Sequence, residues 1–310
     1  MSDFQFKLGM YMPELGLPFD DALALAKDIG ADSVWFTSMG DETPVAEMSD
    51  AEADRMAARV GKHGLELHVI AAGSPFKGLH LADLDLDTMQ DDPAFRKEFE
   101  AIVRSMQIAA RLGVKTVNAF TFAWPGEYSA GKPTWPMRWL TRGGIIADVD
   151  MAKLAKAFSL VVQQAERYNV DVALSMMPWN YTNTTGNFRR LAERLTSPRI
   201  KVMWGPADCF NCGEADVATA GYQNVRPYLH GLHIKDLHVA NGLQLDFEYR
   251  PLGTGDVDYL TILRQMYAER SEAILAVATH FRLPSGSREE AMRTNYAQLR
   301  QLISRASAEA

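Results

Sequence analysis

The chain is poor in cysteine. Cys209 and Cys212 are the only two among 310 residues. A structural zinc takes four ligands, and no second cysteine pair exists to complete such a set. A thioredoxin-like C-x-x-C sits beside the first strand of its fold, whereas this pair falls two-thirds along the chain. We read the two as reduced, partly buried thiols; a redox pair or half a zinc site is the alternative. Basic runs are missing as well. With a net charge of −7, the chain lacks the electrostatic footprint of a nucleic-acid or anionic-membrane partner. Apolar stretches are no longer than a strand, so no transmembrane helix is expected. The start, Met1-Ser2-Asp3-Phe4-Gln5-Phe6-Lys7, has no basic segment followed by an apolar one. Cytoplasmic residence is the expectation. No G-x-G-x-x-G follows the first strand, which argues against an open, doubly wound dinucleotide-binding sheet. No low-complexity linker divides the chain, so residues 1–310 are read as one domain.

What is there is alternation. Strand-like segments at 6–11, 33–36, 66–70, 116–120, 170–174, 200–204, 229–235 and 273–277 are separated by helix-like ones. The helices are expected at 20–29, 50–63, 93–112, 150–168, 187–195, 259–269 and 288–304, with a short one near 215–222. Gly30, Gly64 and Gly113 mark helix ends. Hydrophobic residues make up 47% of the chain, ample for a large core. Eight βα units of apolar strands predict a parallel sheet inside helices, a single (β/α)8 TIM barrel in the α/β class. The active site of such a barrel lies at the C-terminal strand ends. Two loops there are long, 71–92 and 121–147. The second holds Trp124, Tyr128, Trp135, Arg138 and Trp139. Loops of that length serve as lids or binding surfaces, or bury their aromatics as a satellite core.

The later strands carry a resemblance. Val202-Met203-Trp204-Gly205-Pro206-Ala207-Asp208, Gly213-Glu214, His233-Ile234-Lys235-Asp236, Pro251-Leu252-Gly253-Thr254-Gly255-Asp256-Val257-Asp258 and Ala278-Thr279-His280-Phe281 resemble the xylose-isomerase-like superfamily of sugar phosphate isomerases and epimerases. The H-x-K-D with the following P-L-G-x-G-D-V-D is the more specific part. The resemblance implies a divalent metal held by Glu, Asp, His and Glu at the ends of strands five to eight. Those positions are Ser175, Gly205, His233 and Ala278 here. A glutamate frequent at the end of strand two is Trp35. A divalent cation wants hard anionic oxygens, so only His233 matches, and the expectation is that no such metal is held.

Two replacements stay open. Asp208, three residues past Gly205, and His280, two past Ala278, could join His233 as a rebuilt site for Mn, Mg, Co or Zn. The same trio could act as acid and base without a metal. Asp208 could equally cap a turn, and His280 could be an ordinary polar residue at a strand end. Lys235 could transfer a proton, form a Schiff base, or pair with Asp236 or Glu248. Substrate-binding candidates are Trp35, Trp124, Ser175, Trp204 and Arg282. Arg282 with the Ser285-Gly286-Ser287 turn could hold a phosphate or carboxylate, or the turn could simply cap the last helix. The expected function is proton transfer next to the carbonyl of a sugar, keto-sugar or cyclitol, on His233 with Asp208, His280 and Lys235. The alternative is a non-catalytic barrel that binds a sugar-like ligand or a partner subunit. A homo-oligomer is an expectation by analogy alone.

Overall fold

The structure is a computed structural model that describes residues 4–124, 144–242 and 246–309. Its elements run β1 (Leu8–Tyr11), α1 (Phe19–Ile29), β2 (Ser33–Trp35), α2 (Asp50–Lys62), β3 (Glu66–Leu67), β4 (Ile70–Ala71), α3 (Pro93–Leu112) and β5 (Thr116–Phe120). After these come α4 (Asp148–Tyr168), β6 (Asp171–Ser175), α5 (Thr185–Leu195), β7 (Ile200–Trp204), α6 (Pro206–Asn211), α7 (Tyr222–Val225) and β8 (Leu229–Ile234). The chain closes with β9 (Asp236–Asn241), β10 (Asp246–Arg250), α8 (Tyr259–Ala268), β11 (Ile274–Val277) and α9 (Arg288–Glu309).

Nine strands form one parallel sheet in the order β3-β2-β1-β11-β8-β7-β6-β5-β4. The sheet rolls into a nearly closed α/β barrel, as the alternation predicts. The expected third strand is two pieces, with His68 and Val69 between them, so β3 pairs with β2 while β4 pairs with β5. Local sequence sets the helix starts. Ser49 and Glu52 form a reciprocal capping box at α2. Asp92 accepts from Phe95 N, and Pro93 takes the first turn of α3, where its missing N–H costs nothing. Thr184 caps α5, and Asp258 caps α8.

Two further elements were not expected. The segment after β8 is an antiparallel hairpin, β9 with β10. A short helix, α6, begins directly after β7. Near 215–222 the chain makes a π-helical turn at Val217–Gly221 and then α7.

The P-L-G-x-G-D segment is a structural clasp. The Asp236 carboxylate accepts from the backbone N–H groups of Leu237, Gly253, Gly255 and Val257. A Cβ at Gly255 would overlap Asp236 Oδ1 and the Leu237 carbonyl, so only glycine lets the loop approach. Glu214 does similar service for α5. It accepts from Thr185 N at 2.9 Å and from the Thr185 hydroxyl, next to the positive end of that helix. Cys209 and Cys212 are buried and form no disulfide, and burial pushes the Cys209 thiol well up.

The loop after β4 is pinned by Phe76. Its φ is +68°, a strained value for an aromatic residue. The side chain is fully buried and stacks on Phe95 at 5.2 Å and Phe122 at 4.7 Å. Burial of one phenyl group is worth about 2–3 kcal/mol, enough to offset the strain.

Candidate functional site

The C-terminal strand ends surround a cavity of about 210 Å³. Tyr11 and Glu14 reach it from the end of β1 and the turn after it, Trp35 from the end of β2 and Thr37 from just past it. The loop after β4 supplies Ser74 and Lys77. Phe120, Ser175, Met177 and Trp179 come from β5, β6 and the turn after β6, His233 from β8, and His280 from beyond β11. Aromatic faces dominate two sides. Trp35 packs on Tyr11 at 4.5 Å, Trp179 stacks on Phe120 at 5.6 Å, and the Lys77 ammonium lies 4.9 Å above the Trp179 ring.

A chain of charged and polar groups runs along the remaining wall and into the protein. Arg282 Nη2 donates to Glu14 Oε2 at 3.1 Å. Glu14 Oε1 lies 2.9 Å from His280 Nδ1. His280 Nε2 lies 3.2 Å from Lys235 Nζ, and Lys235 Nζ is 2.9 Å from Asp208 Oδ1. An ammonium has only donors, so His280 Nε2 accepts and the ring N–H sits on Nδ1, donating to Glu14. Burial alone would raise the Glu14 carboxyl, but His280 and Arg282 outweigh it and hold it below its usual range. Burial works against the charge on Lys235, and Asp208 leads the attractions that overcome it, so its ammonium is held above the usual value. Burial, helped by Lys235 and His280, pushes His233 well below its usual value. That imidazole is neutral at pH 7, and its Nε2 has no hydrogen-bond partner among the described residues.

These positions sort the residues proposed from sequence. His233, His280, Trp35 and Ser175 line the cavity. Asp208 and Lys235 lie behind it, joined to each other and to His280. The trio of His233, Asp208 and His280 is not one directly bonded unit, because Lys235 stands between Asp208 and His280. Lys235 pairs with neither expected partner: Asp236 clasps the backbone loop, and Glu248 pairs with Arg250. A lysine so firmly protonated is unsuited to Schiff-base formation. Trp204 is buried in the main core beside Tyr222 and does not line the cavity. Trp124 packs on Tyr181 at 4.8 Å, also away from the cavity lining. Arg282 spends one edge on Glu14 and the other on the carbonyls of Thr279 and Phe281. Ser287 Oγ accepts from Glu290 N, which makes the 285–287 turn a helix cap. Tyr128, Trp135, Arg138 and Trp139 lie outside the described residues. Glu14 and Trp179 escaped the sequence reading. The available signal for Glu14 was its place, an acid three residues past the first barrel strand.

A divalent metal does not fit this donor set. Among the described residues, no group of three or more His, Cys, Asp or Glu side chains is placed to hold one. The Asp208 carboxylate, beyond Lys235 from His280, already serves that ammonium.

The Xylose isomerase-like TIM barrel family model matches residues 23–307. The chain belongs to that family. No curated protein matches it. Among solved structures it is similar to a xylose isomerase domain protein from Planctomyces limnophilus, with 16% identity, 98% of this chain and 99% of that one covered, and a TM-score of 0.69. An L-ribulose 3-epimerase matches with 15% identity over 98% and 97% of the two chains and a TM-score of 0.70. The mannonate dehydratase of Streptococcus suis serotype 2 matches with 12% identity over 98% and 94%, and a TM-score of 0.68. At such identities the likeness is one of fold. Among the described residues, no helix is long and apolar enough to cross a membrane.

Proposed function

We propose that this barrel moves a proton next to the carbonyl of a small sugar, keto-sugar or cyclitol, as an isomerase or epimerase that needs no resident dication. The observation that carries the reading is the Glu14–His280–Lys235–Asp208 chain, whose first two members line the cavity. Similar folds belong to an L-ribulose 3-epimerase and a mannonate dehydratase, which is in keeping with small polyhydroxylated substrates.

Glu14 is ionised and stands at the wall, so it is the base. Its carboxylate takes the proton from the hydroxyl-bearing carbon beside the carbonyl; the C–H pair becomes the C=C bond and the carbonyl π pair moves onto oxygen, leaving an enediolate. Return of the proton to the other carbon, with the hydroxyl proton passing between the two oxygens, isomerises; return to the other face epimerises; loss of a hydroxyl from the next carbon as water, with the abstracted proton, dehydrates. His280, hydrogen-bonded to Glu14, orients the carboxylate and shares its proton. Neutral His233, with Nε2 free, hydrogen-bonds a substrate oxygen rather than acting as the base. Trp35 and Trp179 offer flat faces for the C–H side of a sugar ring.

The test is exchange of substrate C–H for deuterium in D2O, followed by proton NMR over a panel of ketoses, aldoses and inososes. We expect exchange on at least one, reduced about 100-fold or more in Glu14→Gln. A non-catalytic binding barrel is the second reading, favoured by Ser175, Gly205 and Ala278 standing where the family carries acids. Sugar binding without exchange by the wild-type protein would establish that reading instead.

A further inference from the structure

The proton-transfer reading leaves one question about charge: what offsets a developing enediolate where three acids are missing. We propose that the Lys235 ammonium is the resident cation of this barrel mouth, tethered to the chain in place of a divalent ion. The inference rests on the proposed proton chemistry only for its use, not for its geometry.

Four strand ends define the position: Ser175, Gly205, His233 and Ala278. Lys235 is two residues past His233, and its two partners lie just past Gly205 and Ala278. Asp208 bends back over Gly205. A Cβ at position 205 would overlap Asp208 Oδ2, so the carboxylate fills the space into which a longer side chain at 205 would project. The acid has moved three residues along the chain and returned to the same corner. What it holds there is Nζ of Lys235, at 2.9 Å, with both side chains at most 3% exposed. His280 Nε2 closes the other side at 3.2 Å. Asp208 Oδ2 has no hydrogen-bond partner among the described residues and is buried, so the carboxylate keeps acceptor capacity beyond the lysine.

The charges balance without a metal. Glu14 and Asp208 contribute two negatives, and Lys235 and Arg282 two positives. A dication added here would meet the buried ammonium and leave the cluster with two uncompensated positive charges, which a low-dielectric interior disfavours strongly. The glycine and alanine at 205 and 278 follow from the same exchange. With the cation tethered, acids at those strand ends would be buried negatives without partners.

The experiment is a Mn2+ titration read by electron paramagnetic resonance, on chelator-treated wild type, Lys235→Met, Lys235→Arg and Asp208→Asn. Wild type and Lys235→Arg should bind no stoichiometric Mn2+ at this site. Lys235→Met frees the Asp208 carboxylate and His280 Nε2, and its Mn2+ affinity should rise about 10-fold or more. Stoichiometric binding by wild type that Asp208→Asn abolishes would overturn the proposal, and so would a folded Lys235→Met with no gain. If Lys235→Met does not fold, the wild-type and Asp208→Asn titrations decide alone. The readout is blind to turnover. Failure here leaves the acid–base reading standing, and a protein inert on every sugar leaves the cation assignment standing.

Discussion

Both ends of the barrel keep a buried histidine neutral, His233 at the mouth and His68 and His230 at the bottom, but among the described residues it is the mouth that adds a buried ion pair, Lys235 with Asp208. At the C-terminal mouth, His280 is wired into a chain of ions, Arg282 to Glu14 on one side and Lys235 to Asp208 on the other. At the N-terminal end, His68 and His230 meet edge to face at 4.9 Å beside a cavity of about 420 Å³. Among the described residues no ion pair holds either ring there, and the pull of Asp171 on His230 is outweighed by burial. His230 Nδ1 makes a long contact to Thr116 Oγ1 at 3.4 Å, the His230 ring also interacts with the His68 backbone, and neither ring nitrogen of His68 has a hydrogen-bond partner among the described residues. Burial drives His68 well below its usual value and His230 down to about 4. The bottom tolerates buried imidazoles by keeping them neutral. The mouth keeps buried charge and balances it, at a desolvation cost that a purely structural core would avoid. The proposed proton chemistry rests on that contrast more than on any single residue.

The largest effect should come from breaking the ionic end. Lys235→Met strands the Asp208 carboxylate in the interior and should cost about 3–5 kcal/mol in chemical denaturation. Adding Asp208→Asn in the same chain should recover much of that loss. Full additivity of the two single losses would show that the ions are not coupled.

The neutral end should respond to acid. The folded value of His230 is depressed to about 4, below the unfolded one near 6.5. Between those limits the unfolded chain binds more protons, so stability falls as pH drops from about 6.5 to about 4. The buried shift corresponds to about 3 kcal/mol over that window. His230→Asn should flatten that part of the stability–pH curve, and an unchanged slope would show that His230 does not titrate as described. The smallest effect is expected at the long Thr116 contact. Thr116→Val should change stability by no more than about 0.5 kcal/mol; a larger loss would mean that the neutral end does depend on a hydrogen bond.

Much of the fold was legible because βα alternation and helix caps are local. The break in the third strand at His68 was not, since an apolar run such as Leu67 to Ala71 carries no mark of where pairing switches partner. The β9–β10 hairpin lies outside the barrel sheet and was missed, although Asn241-Gly242 at the end of β9 is a hairpin signal in the sequence. In the site, Asp208 and His280 were visible as residues past strand ends, and His233 and Lys235 as residues of the strand expected at 229–235. Their partners were not, because Glu14 and His280 meet across 266 positions, where sequence spacing says nothing. Trp204 illustrates the reverse error. It ends a strand beside the mouth, yet its indole is buried in the core against Tyr222. The Gly213-Glu214 and P-L-G-x-G-D pieces of the resemblance are scaffold, a helix cap and an aspartate clasp, and they persist without the acids at 175, 205 and 278.

The central claim is an acid–base mouth centred on an ammonium instead of a dication. Its most direct test is deuterium exchange into the best sugar of the panel, by chelator-stripped wild type with and without added Mn2+. The account predicts the same exchange rate in both. Exchange that appears only when Mn2+ is present would contradict it.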